Sequence, residues 1–418
     1  MTGHHILSYL SRVNTSSNLS PRRYELRIGG HLDARWTTSF DRMTVLREND
    51  GTTVLRGSLP DQSALHGLLA QLRDAGLTLL SVTQLDGAEA STVMTAAVYR
   101  RFGGPEVVEI EDAPKPEPGA GEMLVRVRAT TVSAADHRTR ARDVPPGLLL
   151  PSALVVGLFR PRRRILGMDI AGTVVAVGAG VAGFAPGDDI VAMLGSRFGG
   201  HAEYAIVKIT DAVALKPESL SYEDAVAHVF GGITARAYLR QVDIGAGSRV
   251  LVNGASGAVG TAVVQLAKAA GAIVTGVSSA ANGELVTSLG ADRVIAYDSH
   301  DFATDGSTYD VIVDCVGNAP VDRVQKALAS GGAVLLVAAN LGSLLAARRQ
   351  SRRLGITVVT GPGPYLTEDL EYLMVLAEQG SVRPIIERTF SLAEIADAHG
   401  LVDSNRKRGS VVITIPGA

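Results

Sequence analysis

From Arg23 to Ile28 apolar and polar residues alternate, the period of a half-buried strand. Met43 to Arg47 and Thr53 to Arg56 repeat the pattern around Asn49-Asp50-Gly51, a hairpin signal. Leu65, Leu68, Leu69 and Leu72 then share one face of a predicted helix, with Asp61 as cap and Gly76 as stop, and Leu77 to Val82 returns as a strand. Residues 24–90 therefore read as a small α+β module. Residues 1–23, polar and serine-rich, are expected to be disordered, and 86–95 reads as a linker.

The pattern changes at Ala97. Met123 to Arg128, Gly172 to Val177, Asp189 to Met193 and His201 to Val207 are short strand signals separated by Gly178, Gly180, Gly183, Pro186 and Gly187. Close-set strands of this kind predict a β-rich, barrel-like domain over 97–221. From 222 to 369 strands alternate with helices: Val250–Asn253, Ile273–Val277, Arg293–Ile295, Tyr309–Cys315, Ala333–Val337 and Thr357–Thr360. That alternation predicts a doubly wound parallel sheet. Residues 370–418, ending in the strand Arg408–Ile415, are expected to rejoin the β-rich domain. The fold class is thus α/β: a Rossmann-type sheet plus a β-rich domain, with a small α+β domain in front.

Val250 to Gly260 carries the chemistry. A buried strand runs into Gly254-Ala255-Ser256-Gly257-Ala258-Val259-Gly260, and Val263, Leu266, Ala267 and Ala270 continue at helical spacing up to Gly271. Such a turn brings backbone N–H groups and a helix N-terminus to a phosphate, so it reads as a dinucleotide site. An NAD site usually has Asp or Glu about 20 residues beyond the glycines, on the ribose 2′-hydroxyl. Here the second strand ends in Ser278-Ser279 without an acid, and Ser278, Ser279 and Asn282 could bond a 2′-phosphate. The expected cofactor is NADPH. The lack of Lys or Arg in Ala280–Gly283 removes a charge-assisted bond that would sharpen that choice.

Composition narrows the rest. The 418 residues carry a net charge of −2, with 46% hydrophobic and 20% charged residues, which gives no reason to expect nucleic acid or an anionic membrane as partner. The basic runs at 160–164, 348–353 and 406–408 read as solvated surface. One cysteine, Cys315 in an apolar strand, excludes a disulfide framework and a cysteine-rich zinc site. Without a bilayer-length apolar run or a signal core, a cytoplasmic location is expected. The proline-punctuated apolar stretch between Asp143 and Arg164 is a candidate lining for a hydrophobic substrate pocket.

Arg101-Phe-Gly-Gly-Pro-Glu-Val107, Gly167-Met-Asp-Ile-Ala-Gly172, Val177 to Asp188, Gly199-Gly-His-Ala-Glu-Tyr204 and Leu289-Gly-Ala-Asp292 occur together with the 253–260 turn. On these motifs, residues 97–415 resemble the medium-chain dehydrogenase/reductase superfamily, in its zinc-free quinone oxidoreductase (zeta-crystallin-like) branch. No family is offered for the N-terminal module. The resemblance implies that the β-rich domain is GroES-like and catalytic. Zinc-dependent relatives carry Cys where Ser133 stands and Gly-His-Glu where Gly167-Met168-Asp169 stands, so no metal is expected. It also adds cofactor positions: Thr234 near the nicotinamide, Tyr297 at the 2′-phosphate, and Gly317, Ala338, Ala339, Asn340 and Asn405 in loops facing the cofactor. Ser133 and Asp136, which take the places of an Asn and an Asp near the substrate, are the candidate catalytic residues, Asp136 by orienting its neighbours; Ser133 reads equally as a helix cap.

The implied reaction is hydride transfer from NADPH to a quinone or α,β-unsaturated carbonyl compound. A small hydrophobic substrate and a homodimer are the expected partners. Two alternatives stay open: an NADPH-binding sensor or scaffold with little turnover, and an alcohol dehydrogenase.

Overall fold

The computed structural model describes residues 22–30, 43–47, 51–59, 62–84, 92–144, 147, 148, 153 and 156–416. The expectations for residues 1–21, for Asp61, for the Asn49-Asp50 turn, and for most of the 86–95 linker and the proline-rich stretch lie outside them. The chain divides into two compact units, residues 1–92 and 93–417.

In the first unit β1 (Arg22–Gly29) pairs antiparallel with β3 (Thr52–Leu59) and β4 (Thr78–Gln84), and β2 (Met43–Arg47) pairs with β3, in the order β2-β3-β1-β4. The strand therefore starts at Arg22, inside the segment expected to be disordered. Tyr24, Leu26 and Ile28 point to one face and are buried, as the alternation requires. Helix α1 (Gln62–Asp74) covers that face with Leu68 and Leu72, and Gly76, at φ +71°, ends it.

The second unit opens with the hairpin β5 (Val93–Tyr99) and β6 (Val108–Pro114). Its β-rich sheet runs β11 (Ala212–Leu215), β9 (Asp189–Met193), β8 (Asp169–Val177), β7 (Glu122–Val132), β19 (Ser410–Thr414), β18 (Ile386–Ser391), with β10 (Tyr204–Lys208) also on β7. The C-terminal strands thus rejoin the β-rich sheet: Val411 to Thr414 pairs with Ala129 to Val132. Helix α2 (Ala134–Ala141) follows β7, in agreement with the cap reading of Ser133 and against the strand-only pattern of this region.

The second sheet has the order β14 (Arg293–Ala296), β13 (Ile273–Ser278), β12 (Arg249–Asn253), β15 (Tyr309–Asp314), β16 (Leu328–Leu336), β17 (Thr357–Val359). Every pairing in it is parallel, and the chain crosses sides after β14, placing a switch point between β12 and β15. Helices α3 (Tyr222–Ala227), α4 (Val229–Leu239), α5 (Ala258–Ala269), α6 (Gly283–Ser288), α7 (Val321–Val324) and α8 (Leu341–Leu354) belong to this part. Helix α9 (Thr367–Glu378) is continuous across 369/370, so the domain boundary expected there falls inside one element. Helix α10 (Ile395–Asp403) lies between β18 and β19 in sequence. Among the described residues no helix is long and apolar enough to cross a membrane.

Candidate functional site

The turn between β12 and α5 is built by its glycines. Gly254 takes φ +82°, and the N–H groups of Gly254 and Ala255 donate to the Val277 carbonyl at 3.1 and 2.9 Å, which ties the turn to the end of β13. A Cβ on Gly260 would lie 2.0 Å from the Gly254 carbonyl oxygen, so only glycine lets the helix start this close beneath the turn. Gly257 is the N-cap of α5, and no side chain caps it. The N–H groups of Val259 and Gly260 precede the helix's own bonding at its positive end.

Around that mouth the structure gathers several of the expected residues. Asn282 donates from Nδ2 to Ser256 Oγ at 3.1 Å. Ser278, the buried last residue of β13, donates its hydroxyl to the Ser279 carbonyl at 3.0 Å, and the Tyr297 N–H donates to the Ser278 carbonyl at 3.0 Å. The Tyr297 ring is exposed. Asp298, which the sequence reading passed over, holds its carboxylate against the Ala280 N–H at 3.2 and 3.3 Å. The end of β13 lacks an acid of its own, yet a carboxylate reaches it from the loop after β14.

The far side of the switch point is ordered by Asp314. This buried carboxylate accepts from Asn253 Nδ2 at 2.8 Å and from the N–H groups of Val316, Gly317 and Ala319 at 3.0, 3.0 and 2.8 Å. The loop carrying Gly317, at φ +96°, is thereby fixed close to Ala338, whose carbonyl oxygen a Cβ on Gly317 would meet at 3.0 Å. Ala339 follows, and Asn340 uses its side-chain oxygen to cap α8 through the Ser343 N–H at 2.8 Å. Thr234, buried in α4, sets its hydroxyl 3.4 Å from that of Tyr365. An acid ending an apolar strand was the available signal for Asp314.

Asn405 is exposed at φ +55° and turns its amide to the Asp403 carbonyl at 3.5 Å, so its side chain has no bond to the glycine turn. The loop it begins does reach the turn: the Gly409 N–H donates to the Ser256 carbonyl at 2.8 Å, and Gly409 and Gly257 form a parallel bridge. Lys407 in this loop donates from Nζ to the Gly409 carbonyl at 2.5 Å. Burial pushes its ammonium down to about 8. Nothing in the run Asn405-Arg-Lys-Arg-Gly409 distinguishes this lysine from the neighbouring arginines.

Ser133 and Asp136 make a different arrangement. Ser133 is the N-cap of α2, and the two residues form a capping box. Asp136, fully buried, accepts from the Ser133 N–H and hydroxyl at 2.8 and 2.6 Å and from the Gly167 N–H at 2.8 Å. The same helix supplies buried Arg140, whose guanidinium grips both carboxylate oxygens of Asp403 at 2.6 Å. Nearby Asp169 accepts from the Thr131 N–H and hydroxyl, yet burial raises its carboxyl to about 7. Ser133 and Asp136 share no hydrogen bond with the glycine-turn group among the described residues. Cys315 is half-buried, and burial pushes its thiol up, away from nucleophilic use.

The donor set also fails a zinc test. The Ser133 hydroxyl and the Asp169 carboxylate are engaged internally, Met168 offers a thioether, and among the described residues no three His, Cys, Asp or Glu side chains gather so as to hold a metal.

An uncapped helix at the switch point of a parallel sheet, joined to a β-rich domain, has the architecture of a dinucleotide-binding fold. Residues 119–218 match the alcohol dehydrogenase GroES-like domain and residues 289–413 the zinc-binding dehydrogenase family, while residues 23–83 match a domain of unknown function. A chloroplastic quinone oxidoreductase, QR1 of Triphysaria versicolor, is 30% identical over 342 residues, 78% of this chain and 99% of that protein. An NADPH-dependent alkenal/one oxidoreductase of Arabidopsis thaliana is 30% identical over 77% of this chain and 79% of its own length. The solved quinone oxidoreductase of Coxiella burnetii superposes with a TM-score of 0.70 at 27% identity, covering 78% of this chain and all of that one. The chain belongs to the medium-chain dehydrogenase/reductase superfamily, in its quinone-oxidoreductase-like branch.

Proposed function

We propose that this protein reduces quinones or α,β-unsaturated carbonyl compounds with NADPH. The observation that carries the reading is the open N-terminus of α5 beneath the Gly254–Gly260 turn. The cofactor would supply a hydride, and the chain's own residues hold and orient it. The N–H groups of Val259 and Gly260 face the diphosphate. Ser278, Ser279, Asn282 and Tyr297 offer neutral donors at the adenosine end, with Asp298 limiting the preference for a 2′-phosphate. Thr234 and the Gly317 and Ala338–Asn340 loops form the nicotinamide end, where Asp314 keeps the backbone in register. An enone takes hydride at its β-carbon and a proton from water, and a quinone takes hydride and proton to become a quinol. Neither needs a Lewis acid, which agrees with a donor set that does not suit zinc. Names of relatives support the substrate class: quinone for one, alkenal/one for the other. We assign Ser133 and Asp136 to shaping this domain, and a homodimer would form along the free edge of β17.

The test is oxidation of NADPH by chelator-treated protein with a 1,4-quinone, an aliphatic enone and a saturated ketone, with NADH in parallel. Turnover of quinone or enone but not ketone is expected. Reduction of the ketone would favour an alcohol dehydrogenase. Cofactor binding without turnover would favour a sensor.

A further inference from the structure

We propose that Lys407 supplies the positive charge that binds the cofactor's diphosphate, reaching the glycine turn from the loop before the last strand. The inference rests on the dinucleotide reading above and goes beyond it, because the turn itself, Gly254 to Gly260, contains no cation.

Three observations place the ammonium there. The Gly409 N–H donates to the Ser256 carbonyl at 2.8 Å, and Gly409 bridges Gly257, so the loop lies along the turn. Lys407 Nζ donates to the Gly409 carbonyl at 2.5 Å, which sets it beside the uncapped start of α5. The nearest acid acting on it, Glu387 on β18, is already engaged by Arg408 through the N–H and Nε at 2.9 and 2.8 Å. A half-buried ammonium and a helix N-terminus thus meet with one carbonyl and no free carboxylate between them. Two positive ends facing one opening repel each other until an anion enters. A diphosphate at the turn meets both.

The charge falls on a part common to both cofactors. Lys407 should therefore raise affinity for NADPH and NADH alike and contribute nothing to the choice between them. It should also make binding sensitive to alkali. The free ammonium titrates near 8, so affinity is full below that pH and falls as pH rises above it. The charged groups around it keep their state over that range: Glu387 is held ionised by Arg408, whose own guanidinium is raised by the same pair.

Full-length protein titrated with NADPH and with NADH from pH 7 to pH 10 tests this. Lys407→Met should weaken both cofactors by roughly ten- to a hundredfold at pH 7 and flatten the alkaline loss. Lys407→Arg should restore affinity at pH 7 and keep it at pH 10. Lys407→Met within twofold of wild type, a loss confined to NADPH, or an alkaline loss that persists in Lys407→Arg would each overturn the assignment. Wild type that binds neither cofactor would overturn the dinucleotide reading itself. Should Lys407→Met fail to fold by circular dichroism, the arginine variant carries the decision alone.

Discussion

Helices α2 and α5 both begin with small residues within a few positions of a strand end, and they treat their N-termini in opposite ways. At α2 the orphan N–H groups are met from within: Ser133 accepts from the Asp136 N–H, and Asp136 returns a bond to the Ser133 N–H. At α5 the cap is Gly257, which has no side chain to give. A closed cap is worth about 1 kcal/mol to its helix and leaves an anion no donors; an open cap forgoes that stability and keeps a binding site. On the proposed reading, the difference separates structure from function at two helix starts.

The comparison breaks most readily at Asp136. Asp136→Ala strips an acceptor from the Ser133 and Gly167 N–H groups in a fully buried place, at ~1–3 kcal/mol for each unsatisfied group. A loss of roughly 3 kcal/mol, seen as a thermal midpoint lower by several degrees, is the expected result. A variant that melts like wild type yet loses turnover would make Asp136 a reacting group and sink the structural assignment.

A smaller effect comes from acid, on the flank of the open helix. His228 is buried beside Ala258 and Thr261 in a small cavity, its Nε2 without a hydrogen-bond partner among the described residues, and burial lowers its pKa to about 4. The unfolded chain takes up this proton near 6.5 and the folded chain not until about 4. Stability is therefore complete above 6.5 and falls as pH drops through that window, by on the order of 2 kcal/mol at pH 5. Buried His201 and His399 are shifted in the same direction. Melting wild type and His228→Gln at pH 7.5 and pH 5 should show a shallower acid loss in the variant. Equal slopes would remove His228 from the account.

How far each region could be read from sequence follows from the range of its interactions. The parallel sheet, the glycine turn and the α1 module were legible because periodicity and turn chemistry are local: Val250 to Gly260 contains its own strand, turn and helix start. The capping box at Ser133 was legible only as one of two readings, since Ser and Asp three apart serve a cap or a site equally well. Asp298 and Lys407 were not legible. Asp298 comes to Ala280 from 18 residues away, and Lys407 comes to the turn across about 150 residues, through a strand that returns from the other domain. Local pattern carries no trace of such meetings.

Asp298 also sharpens the comparison at its binding end. If α5 holds the diphosphate alike for both cofactors, the choice between them rests at β13, where one exposed carboxylate faces neutral donors. Asp298→Asn should improve NADPH binding about two- to fivefold and leave NADH within error, as expected for removing one solvent-screened charge. Titration of both cofactors at low salt, where the effect is largest, reads it directly. An equal change in both would place Asp298 away from the 2′-position.

The smallest expected change in stability is the most direct exchange of one helix start for the other. Gly257→Ser gives α5 the kind of cap that Ser133 gives α2. The backbone there is extended, at φ −79° and ψ 171°, and a Cβ meets nothing closer than the Gly254 carbonyl oxygen at 3.6 Å, so the residue fits without strain. Its hydroxyl can accept an N–H of the first turn and raise stability by a few tenths of a kcal/mol, about 0.2–0.5. The same bond takes a donor from the diphosphate, so cofactor affinity should fall as the midpoint rises. Opposite signs in melting and titration are what an open cap requires. A variant that gains both stability and affinity would show that the first N–H groups of α5 do not meet the ligand.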